Sequence, residues 1–293
     1  MTPTHEQVFQ VRHYECDAYG HVNHANYLRY MQEAAFNASA AVGYSFERCL
    51  ELGVQWLAHE TAIEYLQPLR YGDTAVVRTR IADFRRVRSH RHYEIIHQQS
   101  GALAARAQTD WVLLDAATGR PKSIDEAMVA AYSGGHPIEP VTLIERRPYH
   151  NQVPPNAFSI RKRVEWRDID TANHVNNAVY LNYLEDCSIV ASREVGYSME
   201  RLNREQIGIM ARRHQIEYRQ PAMIDDEIEI STWITDFKRA TGTRHFQITR
   251  VNDGAVLARA QSMWMFVNLG TGHLGRVTPE FREAFMPQVI GAE

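Results

Sequence analysis

The sequence predicts an α+β protein built from two copies of one domain in tandem, each an antiparallel sheet wrapped around one long helix. Three observations carry that expectation: an internal repeat, one helical run per copy, and strand-like runs joined by hairpin-length turns. The repeat is plainest in two stretches, Cys-Asp-Ala-Tyr-Gly-His-Val-Asn-His-Ala-Asn-Tyr from Cys16 to Tyr27 and Ile-Asp-Thr-Ala-Asn-His-Val-Asn-Asn-Ala-Val-Tyr from Ile169 to Tyr180. Asp17, His21, Val22, Asn23, Ala25 and Tyr27 fall on Asp170, His174, Val175, Asn176, Ala178 and Tyr180, an offset of 153 positions without a gap. The offset persists: Val42-Gly43-Tyr44-Ser45 falls on Val195-Gly196-Tyr197-Ser198, Ile63-Glu64-Tyr65 on Ile216-Glu217-Tyr218, Asp83-Phe84 on Asp236-Phe237 and Trp111 on Trp264. A match sustained at one period over a whole copy is a duplication.

In chain order, Val8 to Tyr14 alternates as a short strand and leads into the Gly-containing motif. Asn23 or Asn26 can then cap a helix whose apolar residues Tyr27, Met31, Ala34, Ala35 and Ala38 recur at helical spacing until Gly43. Four strand-like runs follow, Val54 to Leu66, Asp73 to Phe84, Ser89 to Gln98 and Leu103 to Asp115, and connections this short favour antiparallel pairing. Ile124 to Tyr132 reads as a short closing helix, matched by Thr278 to Met286. Ser133 to Phe158, with five prolines and Gly134-Gly135, is the densest punctuation in the chain and reads as a linker long enough for the two copies to pair side by side. The expected domains are therefore 1–132 and 159–293, with a linker over 133–158.

The 293 residues with 44% hydrophobic content suit two domains that each bury a core. A net charge of −3 gives no global attraction to nucleic acid or an anionic membrane, and neither is an expected partner. The first residues have neither a basic nor an apolar leader region and no stretch nears a membrane span, so a cytoplasmic protein is expected. Cys16, Cys49 and Cys187 show no CxxC spacing and read as reduced thiols. No metal or cofactor is expected, since the His24 and His90 positions are Asn177 and Thr243 in the second copy.

The loop Asp-x-x-Gly-His-Val-Asn-x-x-x-Tyr, with its Ala-rich helix and four-strand run, resembles the hotdog-fold thioesterases, specifically the 4-hydroxybenzoyl-CoA thioesterase and YbgC-like branch. The likeness covers about Gln7 to Tyr132 and Ser159 to Met286, so the chain looks like a double-hotdog acyl-CoA thioesterase. It implies an oxyanion donor at the seventh residue after the Asp, the backbone N–H of His24 and of Asn177, a site formed between paired copies, and further assembly as a homo-oligomer. Acyl-carrier-protein thioesterases also resemble the second copy through Trp166, Asp168, Asp170 and His174-Val175-Asn176-Asn177, but they carry Asn where this chain has Ala172, which weighs against a carrier-protein substrate.

Physical chemistry supports hydrolysis independently. A thioester needs a base or nucleophile and a place for negative charge on its oxygen. A carboxylate just before a helix supplies the first, and the unpaired N–H groups of the first turn supply the second. Asp17 and Asp170 are thus the expected base or nucleophile; loop capping is their other reading. His21 and His174 either transfer protons or, the preferred reading, organise the loop. Asn23 and Asn176 cap the helix or orient a water.

The copies also differ. Gly20 becomes Asn173, so the second loop could turn differently, and Glu60 becomes Arg213, so the two sites are not expected to be equivalent. The basic runs Arg85, Arg86, Arg88, Arg91 and Lys238, Arg239, Arg244 share one hairpin, where Arg86, Arg88 and Arg239 could meet the phosphates of coenzyme A or simply form a solvated tip. The GxGxxG at Gly270 reads as a turn, because too little chain follows for a dinucleotide-binding unit. Besides a thioesterase, two readings stay open: a hydroxyacyl-thioester dehydratase using His21 or His174 as base, and a non-catalytic acyl-thioester binding protein.

Overall fold

The computed structural model describes residues 3–290. The chain divides into two units, Met1–Arg146 and Arg147–Glu293. In the first, β1 (His5–Gln10) leads through a 3-10 turn at His13–Glu15 to α1 (His24–Ala41), the short α2 (Phe46–Glu51), β2 (Val54–Tyr65), β3 (Thr74–Phe84), β4 (Arg88–His97), β5 (Leu103–Asp115) and α3 (Glu126–Ser133). The second repeats this order as β6 (Phe158–Arg163), a 3-10 turn at Trp166–Asp168, α4 (Asn177–Glu194), α5 (Met199–Arg204), β7 (Ile207–Tyr218), β8 (Glu227–Thr235), β9 (Thr241–Arg250), β10 (Val256–Asn268) and α6 (Pro279–Phe285). Within the units the strands run β1-β3-β4-β5-β2 and β6-β8-β9-β10-β7, every pair antiparallel. These are the two tandem hotdog domains of the α+β class.

The sequence explains why one helix fits inside each sheet. The buried stripe of α1 is Ala25, Tyr27, Leu28, Tyr30, Met31, Ala34, Ala35 and Ala38. Alanines let the helix backbone come close to β3, whose Ala75, Val77 and Ile81 face the core. Each helix opens on an asparagine cap: Asn23 accepts from the Ala25 N–H and Asn176 from the Ala178 N–H. Asn26, the other candidate, instead donates its side-chain amide to the Glu15 carbonyl.

Four expectations need correction. The first strand is His5–Gln10, because Tyr14 belongs to the 3-10 turn and is 76% exposed. The short helices α2 and α5 escaped notice, although the repeated Val-Gly-Tyr-Ser is a helix stop followed by a serine cap that accepts from Arg48 or Arg201 N–H. The closing helix α3 starts two residues late, after its Asp125 cap. Arg91 and Arg244 are not at a solvated tip: both lie on strands and are buried. The GxGxxG is a turn, as expected, with Asn268 Oδ1 accepting from the Thr271 N–H.

One bulge recurs. The β2–β5 register slips between Ala58 and Glu60, and the β7–β10 register slips opposite Met263 and Trp264, leaving His59 and Arg212 as the extra residues at equivalent positions. The bulge sets the direction of Glu60 in one copy and Arg213 in the other. Among the described residues no helix is long and apolar enough to cross a membrane.

Burial in the second unit has a consequence for pH. His245 on β9 is 5% exposed, stacks on Trp233 with ring centroids 5.7 Å apart, and shares a 2.8 Å hydrogen bond with Thr235 Oγ1. Desolvation, then the neighbouring His150 ring, pushes its pKa down to about 4, with Asp236 opposing. The neutral imidazole is therefore the folded form. Its contribution is complete above the unfolded value near 6.5 and is lost as pH falls from there through about 4, on the order of 3 kcal/mol. Urea denaturation at pH 7 and pH 4 checks this: His245→Gln is expected to remove that part of the acid-induced loss.

Candidate functional site

The repeated motif folds into the same loop twice. A one-pair β-bridge, Cys16 to Val22 or Ile169 to Val175, closes it. Within it the Asp17 N–H donates to the His21 carbonyl at 2.7 Å and the Asp170 N–H to the His174 carbonyl at 3.0 Å. The turn requires a left-handed residue, which is Gly20 at φ +74° in one copy and Asn173 at φ +61° in the other. Asn173 therefore does not redirect the second loop.

One oxygen of each aspartate organises this turn. Asp17 Oδ1 accepts from the N–H of Tyr19 at 2.9 Å and of His21 at 3.2 Å, and Asp170 Oδ1 accepts from Ala172 at 2.9 Å. The other oxygen of Asp170 accepts from the Asn176 side-chain amide at 3.2 Å, so the helix cap and the carboxylate are directly joined. The cap uses the second and third donors of the helix: Ala25 with Asn26, and Ala178 with Val179. The motif thus holds a half-buried carboxylate beside a helix start whose dipole favours negative charge.

The histidines are half-buried. Burial, and then the charge of Arg70, lower the His21 pKa against the pull of Asp17, so its ring is neutral at pH 7. His174 Nδ1 lies 3.3 Å from the Val175 carbonyl and 3.9 Å from Asp170 Oδ1. Donation to that carbonyl puts the proton on Nδ1, and Nε2 is buried without a hydrogen-bond partner among the described residues. That leaves His174 Nε2 as a lone pair able to accept a proton or hold a water.

Behind the loop lies a layer that sequence reasoning missed. Glu15 is 8% exposed, and its Oε2 accepts from the Tyr30 hydroxyl at 2.7 Å and the Arg12 N–H at 2.8 Å. Asp168 repeats this with Tyr183 at 2.7 Å and the Glu165 N–H at 3.0 Å. The backbone carbonyls of the same acids accept from the Asn23 and Asn176 N–H groups, at 2.8 and 2.9 Å. Two more tyrosines complete the frame. The hydroxyls of Tyr27 and Tyr180 accept from Leu69 and Ala222, and those of Tyr65 and Tyr218 donate to the carbonyls of His24 and Asn177. The signal was present in the sequence: Tyr30 and Tyr183 share the repeat offset, with an acid fifteen residues before each.

The remaining candidates do not join this group. Glu60, 8% exposed, pairs with Arg146 at 2.8 Å, and Arg146 lies 3.8 Å from Asp110. Arg88 donates to Asp110 Oδ2 at 2.9 Å, with His90 Nε2 3.5 Å from Oδ1, so Arg88 belongs to a buried ion-pair network. Arg86 and Arg239 sit exposed on the turns after β3 and β8. In the second copy the Asp110 and His90 positions hold Met263 and Thr243, and the position of Glu60 holds Arg213, which contacts Gln215 Oε1 at 3.4 Å. No cluster of His, Cys, Asp and Glu able to hold a metal occurs among the described residues.

Comparison with known proteins adds the lineage. The family model described as "Thioesterase-like superfamily" matches residues 11–132 and again 164–289. The chloroplastic acyl-acyl-carrier-protein hydrolase FATB2 of Cuphea viscosissima is 23% identical over 274 residues, 90% of this chain and 63% of that protein. The chain thus spans under two thirds of that relative's length. The putative acyl-CoA thioesterase YneP of Bacillus subtilis is 31% identical over 112 residues, 38% of this chain and 80% of YneP. The crystal structure of a putative oleoyl thioesterase from Lactobacillus plantarum superimposes with a TM-score of 0.76 at 19% identity, over 90% of this chain and 96% of that one, and shares the fold.

The buried acid and tyrosine make a direct prediction. Tyr30→Phe and Tyr183→Phe each strip a hydroxyl donor from a buried carboxyl and are expected to cost about 1–3 kcal/mol in urea denaturation. An unchanged midpoint in both would remove the anchoring role.

Proposed function

The chain belongs to the thioesterase-like superfamily, and from that premise we propose that it hydrolyses acyl thioesters carried on a phosphopantetheine arm. One observation carries the reading: an aspartate held in its loop by backbone N–H groups, immediately before an asparagine-capped helix, built twice in one chain. In this mechanism Asp17 or Asp170 activates a water or attacks the thioester carbonyl. The backbone N–H of His24 or Asn177 holds the oxygen as it becomes negative. Asn23 or Asn176 keeps the helix start open toward that oxygen, and His21 or His174 fixes the loop. The thiolate leaves and takes a proton from water; where the aspartate has attacked directly, a water then hydrolyses the acyl-aspartyl anhydride and restores the carboxylate. The free carboxylic acid and the thiol are the products.

The carrier is the finer part of the proposal. A relative matched across nearly the whole two-copy chain is named an acyl-carrier-protein hydrolase, which supports an acyl carrier protein. Acyl-CoA, with the exposed Arg86 and Arg239 near its phosphates, is the second reading, supported by the match to YneP and by Ala172. Membership of the 4-hydroxybenzoyl-CoA thioesterase and YbgC-like branch and assembly as a homo-oligomer belong to the same proposal and rest on the resemblance, and a cytoplasmic location is proposed with them.

Free-thiol release from purified protein tests it, with acyl-CoAs and acyl carrier proteins of short, long and aromatic acyl groups side by side. Turnover on one carrier class and not the other decides between the two readings. Enoyl absorbance without thiol would identify a dehydratase instead. In Asp17→Asn and Asp170→Asn the amide oxygen can keep the loop contacts, so the fold should persist while the working site loses at least about 100-fold in kcat. Full turnover in the double variant would overturn the aspartate assignment.

A further inference from the structure

Arg91 on β4 and Arg244 on β9 occupy the same place in the repeat, and both are buried, 5% and 6% exposed. A guanidinium taken out of water is costly unless acceptors surround it. In the second unit the chain supplies them. Arg244 Nη1 donates to Thr232 Oγ1 at 3.4 Å and to Gln288 Oε1 at 3.0 Å, and Gln288 Nε2 donates to the Ala191 carbonyl at 2.9 Å. Gln288 ends the 3-10 turn Met286–Gln288 and is itself buried, so its amide fills the space between the arginine and α4.

The first unit keeps the arginine and loses the plug. Arg91 Nη1 contacts Thr79 Oγ1 at 3.4 Å, the counterpart of Thr232, and the guanidinium lies 5.9 Å from the centroid of the Tyr132 ring. No other hydrogen bond or ion pair to Arg91 occurs among the described residues. The residue at the Gln288 position is Gly135, at φ +74°, which follows the Gly134 that ends α3. In place of the amide there is a cavity of about 110 Å³, lined by Arg91, Thr79, Tyr132 and by Ala38, the counterpart of Ala191. Its other charged or titratable neighbours among the described residues are Arg80 and His5, and Glu139 lies 3.6 Å from Arg80.

We propose that this cavity binds a small oxyanion, a carboxylate or a phosphate, with one oxygen on the Arg91 guanidinium in the role that Gln288 Oε1 plays for Arg244. The volume suits it: a water takes about 30 Å³, so a cavity of about 110 Å³ has room for roughly the volume of three to four waters, the size of a small anion. A guanidinium presents forked donors to such an anion, with the Tyr132 ring beside it. Ala38 lies near the far end of α1 from His24, roughly 20 Å along the helix axis, so this site is separate from the aspartate loop and does not depend on what the loop does.

Isothermal titration of the full chain with inorganic phosphate and, separately, with acetate tests the proposal, with sodium chloride at matched ionic strength as the blank. Saturable binding of at least one anion is expected, with half-saturation on the order of 1 mM. Phosphate alone identifies a tetrahedral ligand, acetate alone a carboxylate, and both the shared oxyanion. Arg91→Gln is expected to weaken binding at least about tenfold. Ala38→Leu keeps the guanidinium and fills the cavity, and is expected to do the same, which preserves the test if the arginine variant does not fold. Heats no different from chloride in the wild type, or undiminished affinity in Ala38→Leu, overturn the site.

Discussion

A buried carboxyl group gripped by a tyrosine hydroxyl holds each copy of this protein in working order. Glu15 with Tyr30, and Asp168 with Tyr183, join the strand-side end of the loop to the second turn of the long helix. The same acid's backbone carbonyl takes the N–H of the capping asparagine. Burial makes this contact strong and makes its loss costly, because an unsatisfied carboxyl in the core has no water to turn to. With the loop fixed at both ends, the frame sets the positions of the aspartate and of the first turn of the helix. Preorganised donors of that kind are what acyl transfer demands.

The tyrosines show how one side chain type serves three purposes in this frame. Tyr27 and Tyr180 receive a backbone N–H from the segment after β2 or β7, and Tyr65 and Tyr218 reach the first carbonyl of the helix. Their rings meet edge to face, 5.2 and 5.3 Å apart. Each ring fills core volume while its hydroxyl completes a polar bond, the combination that lets Tyr sit buried. Desolvation raises the pKa values of Tyr27 and Tyr180, the latter to about 12, so these two remain neutral throughout the physiological range.

On this common frame the copies have diverged by exchanging partners in sets. Thr61 with Thr109 in one copy becomes His214 with Ser262 in the other, and a hydrogen bond survives at 3.1 and 2.6 Å. The Glu60, Asp110 and His90 positions of the first copy's network hold Arg213, Met263 and Thr243 in the second. The Gln288 plug has no counterpart at Gly135. Loop geometry is conserved while the surroundings change, which is how a duplicated fold can keep one reactive centre and put its second copy to different use.

The fold class, the duplication, the strands from β2 to β5 and the placement of Asp17 and Asp170 before a capped helix were all legible in the sequence, because they rest on local period, capping chemistry and a constant repeat offset. Asn173 was legible only as a question; the left-handed backbone it shares with Gly20 answered it. What tertiary structure alone decided were the pairings between residues far apart in the chain. Glu15 reads as an ordinary surface acid until Tyr30 closes over it, and Arg91 and Arg244 read as hairpin-tip cations until the strands carry them inside. Arg88 likewise looks available to a phosphate until Asp110 claims it. Burial and long-range partners reassign charge, and neither has a signature in local sequence.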